Sequence, residues 1–151
     1  KNISPLRNIP YSKDYKSMSW SNLKYLIDSG HEVGSHTFTH PNLANLHPAV
    51  MNNEIVNSKT YLESKLNIKI NSFAYPFGSP LHINSVSSSI VEKVYKNAFT
   101  NVRGSILNSP SHHLILRQNI VPGMPFWLTD AIIDSKLDFM YLKQRNKLKF
   151  E

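Results

Sequence analysis

SWSNLKYLIDSGHEVGSHTFTH, residues 19–40, sets the frame for reading the rest of the chain. Ser19 is placed to accept from the free N–H groups at a helix start, and Leu23, Leu26 and Ile27 follow at helical spacing. Residues 20–29 are therefore predicted to be a helix, with Gly30 in the left-handed position that ends it. His31–Ser35 follows at once, short and carrying Val33 and Gly34, and reads as a buried strand that emerges at a site. The polar cluster after it places three imidazoles and a carboxylate within ten positions: His31, Glu32, His36 and His40.

Working outward, the same helix-then-strand step recurs. Pro48 is suited to the first turn of a second helix, and Met51, Ile55, Leu62 and Leu66 lie on one side of it, leaving Asn, Lys and Glu outside. Residues 68–75 have strand character until Pro76 and Gly78 stop them. Residues 84–96, with Val86, Ile90, Val91 and Val94, read as a third helix, and strands are expected over 98–102 and 114–121. The region 127–142 mixes apolar residues at helical spacing with acidic ones. Such alternation argues for parallel strands joined by helical crossovers, an α/β layer or barrel. Residues 1–18, with Pro5 and Pro10, read as a loop leading into a single domain spanning 1–151. Residues 143–151, with Lys143, Arg145, Lys147 and Lys149, read as a solvated basic end.

Bulk composition excludes several classes. Lys and Arg total 17 against 10 Asp and Glu, a net charge of +7, but the basic residues are scattered. With no aromatic-plus-basic module or recognition helix beside them, nucleic-acid binding is not expected. There is no cysteine, so disulfides and thiolate metal sites are ruled out. No apolar run approaches membrane-spanning length, and no signal segment opens at Lys1. Lys1 stands where an initiator Met would, which points to upstream sequence that has been removed. Nothing in the sequence marks an oligomeric state.

His36 and His40 are four apart, so one turn of helix would aim both rings to the same side, where they can share an ion. The spacing alone fits two hydrogen-bonded rings as well as a metal pair. A zinc-protease reading of His31-Glu32 with His36 fails on geometry, because residues five apart stand roughly 140° from a common helical face.

Gly30-His-Glu-Val-Gly-Ser-His-Thr-Phe-Thr-His40-Pro-Asn-Leu resembles the second motif of the polysaccharide deacetylase (NodB-homology) family, whose pattern is His, Ser or Thr, two residues, His. Phe73-Ala-Tyr-Pro-Phe-Gly78 resembles its third motif. Leu116-Arg-Gln-Asn-Ile120 is similar to a late Arg-bearing strand in one branch, and Glu54–Glu63 to that branch's helix, so the likeness runs over residues 18–121.

The resemblance implies a distorted, incomplete (β/α) barrel and a metal-dependent hydrolase that removes N-acetyl or O-acetyl groups from a polysaccharide. It implies a divalent metal ion, Zn first and Co, Ni or Mn as alternatives, with His36 and His40 as ligands. Tyr75, Pro76 and Phe77 would form one wall of the substrate groove, and the Phe77 backbone N–H would hold the developing oxyanion. The family's first motif, Thr-Phe-Asp-Asp, supplies the base and third ligand; it has no counterpart here and is expected N-terminal to Lys1. Asp14 and Asp28 are poor substitutes for it.

Ala74 stands where many relatives carry an Arg that orients the catalytic Asp, and Arg117 is the candidate replacement, with a surface role as the alternative. His112 and His113 precede their strand, which favours a loop role over that of general acid. Trp127 is expected in the core or, alternatively, lining a sugar cleft. A degenerate domain that binds glycan or metal without turnover is the competing function. By analogy, the implied substrate class leads us to expect the protein in the cell envelope or outside the cell, with the cytoplasm as the alternative.

Overall fold

The computed structural model describes residues 17–150. Most of the predicted lead-in, with Asp14, lies outside the described residues. The described residues up to His31 form one compact unit and those from Glu32 onward a second.

In the first unit, α1 (Trp20–Asp28) starts at Ser19, whose hydroxyl accepts from the Asn22 N–H while the Asn22 side chain caps back. Gly30 ends it at φ +90. Its N–H bonds to the Ile27 carbonyl and the His31 N–H to that of Leu26, the paired closure that a left-handed C′ residue permits.

In the second unit one helical path is built from α2 (Pro48–Asn52), a π-helical segment Asn53–Asn57 and α3 (Ser58–Leu66). Pro48 occupies the first turn as predicted, and Met51 and Ile55 are buried. Asn67, at φ +54, closes the path. β1 (Ser72–Ala74) then runs parallel to β2 (Asn97–Phe99), and α4 (Ser85–Val94) is the crossover between them. Asn84 and Ser87 cap α4 reciprocally at 2.9 and 3.0 Å.

The sheet is smaller than expected. His31–Ser35 is not a strand, because one residue, Ser35, bridges to Phe73; 114–121 likewise contributes one bridge, Ile115 to Phe99. A ladder needs alternate N–H and C=O groups to keep finding partners. Ser35 receives Ala74 N–H and donates to Ser72 O, both at 2.9 Å, and the chain then turns away. The resulting order, Ser35, β1, β2, Ile115, places β2 between β1 and the segment that carries Arg117.

The core gathers Leu43, Met51, Ile55, Phe73, Tyr75 and Val91 with Leu114, Leu116 and Leu148. Leu148 belongs to the stretch read as a solvated basic end. Here α6 (Leu142–Asn146) follows a 3-10 turn, Asp138–Tyr141, and Arg145 is buried with its guanidinium 3.4 Å from Asp138. The end is thus part of the packed unit, because Asp138 gives the buried cation its counter-charge. α5 (Phe126–Ile133) buries Ile132, whereas Trp127 is 69% exposed and not in the core.

Candidate metal and active site

Both histidines sit where the chain leaves the sheet. Ser35 is locked to β1, and His36 immediately after it sends Nδ1 to the Ala74 carbonyl at 2.7 Å. A carbonyl oxygen can only accept, so Nδ1 carries a proton, and Nε2 is the nitrogen left for a metal ion. That is the arrangement in which a backbone carbonyl fixes a metal-binding tautomer.

The chain does not make the helical turn expected between the rings. Thr37 and His40 are both left-handed, at φ +66 and +59. The Thr37 hydroxyl donates to the His36 carbonyl at 2.5 Å and accepts the His40 N–H at 3.1 Å. Two such residues cost about 1–2 kcal/mol each, and their effect is to swing the His40 ring back toward His36. The ring centres stand 4.8 Å apart at an interplanar angle of 69°. With ring nitrogens about 2.0–2.1 Å from a tetrahedral ion, two imidazoles sharing it would have centres roughly 5 Å apart. The observed separation of the ring centres is of that order. Among the described residues no third His, Cys, Asp or Glu joins them.

Phe77 packs against His40. Its ring lies 4.7 Å from that of His40 and 5.0 Å from that of His82, and it is half exposed. Its backbone is left-handed at φ +58, and the Gly78 N–H returns to the Pro76 carbonyl at 2.6 Å, a tight turn right after β1. Gly78 is itself at φ +61, and a Cβ there would stand 2.6 Å from the Asn101 nitrogen. Gly78→Ala therefore combines backbone strain with a clash against main chain. It is expected to lower stability by about 2–3 kcal/mol, read as a fall in the urea midpoint. An unchanged midpoint would show that the turn yields freely.

Tyr75 and Pro76, read as groove residues, are buried instead. The Tyr75 hydroxyl donates to the His113 carbonyl at 3.0 Å, and burial pushes its phenol pKa up. Alternation along β1 explains this: Tyr75, two residues after the buried Phe73, falls on the same face and packs on the core with the two rings 5.2 Å apart, and the left-handed turn at Phe77 then breaks the pattern. The His113 ring bonds to the Tyr95 carbonyl at 2.9 Å, and the His112 carbonyl accepts from Ala98 N–H, so both contact the chain that enters β2. Arg117 is exposed, with Nε donating to the Thr100 carbonyl at 2.6 Å. Thr100 directly follows β2, at the sheet end where Ala74 holds His36.

Glu54 was missed. From the π-helical segment its carboxylate accepts the Phe38 and Thr39 N–H groups, each at 2.9 Å, and the Thr39 hydroxyl at 2.8 Å. Desolvation works to raise its pKa, but these bonds together outweigh it and hold the carboxyl below its usual value. A π-helical segment next to a His pair was the available structural signal, and it has no mark in apolar spacing.

The sequence from residue 9 to residue 98 matches the family model described as Polysaccharide deacetylase. The chain belongs to the polysaccharide deacetylase family. Two solved relatives show how much of it is present. The Streptococcus pyogenes deacetylase PplD, determined in complex with acetate, is 25% identical, with a TM-score of 0.68 over 82% of this chain and 52% of its own. A polysaccharide deacetylase from Bacillus cereus is 26% identical, with a TM-score of 0.69 over 80% of this chain and 38% of its own. A gellan lyase from a Bacillus species is 40% identical over 55 residues, 36% of this chain and 2% of that protein. The chain thus spans about half or less of the solved relatives it matches. Its fold is the distorted, incomplete barrel of deacetylase structures, with β1, β2 and the two bridges as its sheet. Arg117 lies beyond the matched segment.

Proposed function

We propose that the chain carries the two-histidine side of a metal-dependent site that hydrolyses N-acetyl, or alternatively O-acetyl, groups on a polysaccharide. The observation that carries this reading is the His36 tautomer, fixed by Ala74, with the His40 ring 4.8 Å away. A divalent ion, Zn first and Co, Ni or Mn as alternatives, would supply a water of lowered pKa and polarise the acetyl carbonyl. His36 and His40 would hold it as neutral imidazoles, leaving positions open. The Phe77 N–H, at the left-handed turn, is the group assigned to steady the developing oxyanion, while its ring and that of His40 shape the wall that the sugar meets. Arg117, at the same sheet end, would orient and keep ionised a carboxylate base, since a nearby cation lowers a carboxylate's pKa. By analogy with the substrate class, the reading favours the envelope or the outside of the cell, with the cytoplasm as the alternative.

A second reading, binding of glycan or metal without turnover, draws on the absence of a third ligand among the described residues. Acetate release from an N-acetylated glycan in the presence of Zn2+ separates the two. The 151-residue chain is expected to release negligible acetate, and a chain extended by a strand ending in Thr-Phe-Asp-Asp to release it in a chelator-sensitive way. Robust release from the 151 residues alone would overturn the assignment of base and third ligand. Silence from the extended chain, with Zn2+ still bound, would establish the binding-only reading.

A further inference from the structure

The loop from His36 to His40 has no regular secondary structure and two left-handed residues, yet the site requires its two rings to keep one spacing. One end of the loop is bonded directly to the π-helical segment, and the residue before the other end reaches it through Ser58, the first residue of α3. At the first end the Ser35 hydroxyl meets that of Ser58 at 2.8 Å, and the Ser58 hydroxyl donates to the Ile55 carbonyl at 3.0 Å. That carbonyl also accepts the Tyr95 hydroxyl at 2.9 Å, which ties the segment to the core. At the second end Glu54 receives three hydrogen bonds from Phe38 and Thr39. The π-helical segment thus offers its Glu54 carboxylate to the loop directly and its Ile55 carbonyl to the Ser58 hydroxyl that meets Ser35. Residue 39 is bonded to the next residue's backbone, so fixing Thr39 fixes where His40 starts.

We propose that Glu54 is a positioning residue for the histidine pair: its carboxylate clamps Phe38 and Thr39 so that the His40 ring is held at bonding distance from a shared ion with His36. The inference rests on the reading of His36 and His40 as ligands. A carboxylate is suited to the task because it is acceptor-only and every partner here donates. Glutamine can reproduce the pattern, its oxygen taking both N–H groups and its amide donating to the Thr39 hydroxyl. Alanine cannot.

The test uses the full 151-residue chain, titrated with Co2+ and followed by the imidazole resonances of His36 and His40, with a second set of spectra recorded without metal. Glu54→Ala is expected to weaken Co2+ binding roughly tenfold or more, the scale for losing a group that orients a ligand, while Glu54→Gln recovers most of it. Thr39→Val, which removes one of the three bonds from the other side, should give a smaller loss in the same direction and serves if Glu54→Ala does not fold. In the metal-free spectra the His40 resonances should move or broaden in Glu54→Ala, with those of His113 unchanged. A folded Glu54→Ala chain with parental affinity and parental His40 resonances overturns the proposal. If the parent chain shows no Co2+ effect at either histidine, the ligand reading has failed instead, and the metal-free spectra still decide whether Glu54 sets the position of His40.

Discussion

Zn2+ affinity is expected to fall by roughly a hundredfold or more when His40 is replaced by alanine, and by a similar amount for His36→Ala. The reason is chelation. Once one imidazole holds the ion, the second binds it at the high effective concentration set by the 4.8 Å spacing, and such linkage multiplies affinity by about 10²–10⁴. Competition with a chromophoric chelator measures it directly. The melting temperature should change little, because the His40 side chain is exposed. Should either alanine variant keep parental affinity, the ion would be held elsewhere, and the fixed tautomer of His36 would be a hydrogen-bonding detail.

The other large effect is expected far from the histidines. Asp138 is 7% exposed and accepts from Ser105 N–H at 2.7 Å, Asn108 at 3.2 Å, Gln118 at 3.0 Å and Arg145 at 3.4 Å. Arg145 returns a second bond to the Asp138 carbonyl at 2.9 Å. Asp138→Ala strands a buried guanidinium and leaves several donors unsatisfied, a loss of about 3–5 kcal/mol. Domains are stable by only about 5–15 kcal/mol, so the loss is a large fraction of the total and the unfolding midpoint should fall sharply. Urea unfolding checks this, and a midpoint close to the parent's would mean that water replaces the carboxylate without cost.

That network also marks the limit of what the sequence discloses. Helix ends were legible because their signals are local: Ser19 and Gly30 act within a few residues of themselves, and Pro48 acts on its own turn. The His-x-x-x-His spacing was legible for the same reason, although the backbone between the rings was not, since two left-handed non-glycine residues follow no propensity. Arg145 looked like a surface cation because its partner, Asp138, lies in a region whose fold was itself undecided. Glu54 was hidden among outward polar residues, and its partners lie 15 and 16 residues away. Strand lengths over 31–35 and 114–121 failed because apolar content says nothing about whether a neighbour continues the ladder. Tyr75 shares the face of Phe73 by alternation, but Phe77 leaves that face only because of its left-handed turn, which apolar spacing does not mark.

The left-handed backbone of His40 bears on how this chain would change under selection. At φ +59 glycine or asparagine is at less strain than histidine, by about 1 kcal/mol. A library screened for thermal resistance or soluble yield alone would therefore drift toward glycine or asparagine at position 40, improving the scaffold while discarding a donor. Any engineering of this domain has to screen for metal retention alongside robustness, because at this position the two pull in opposite directions.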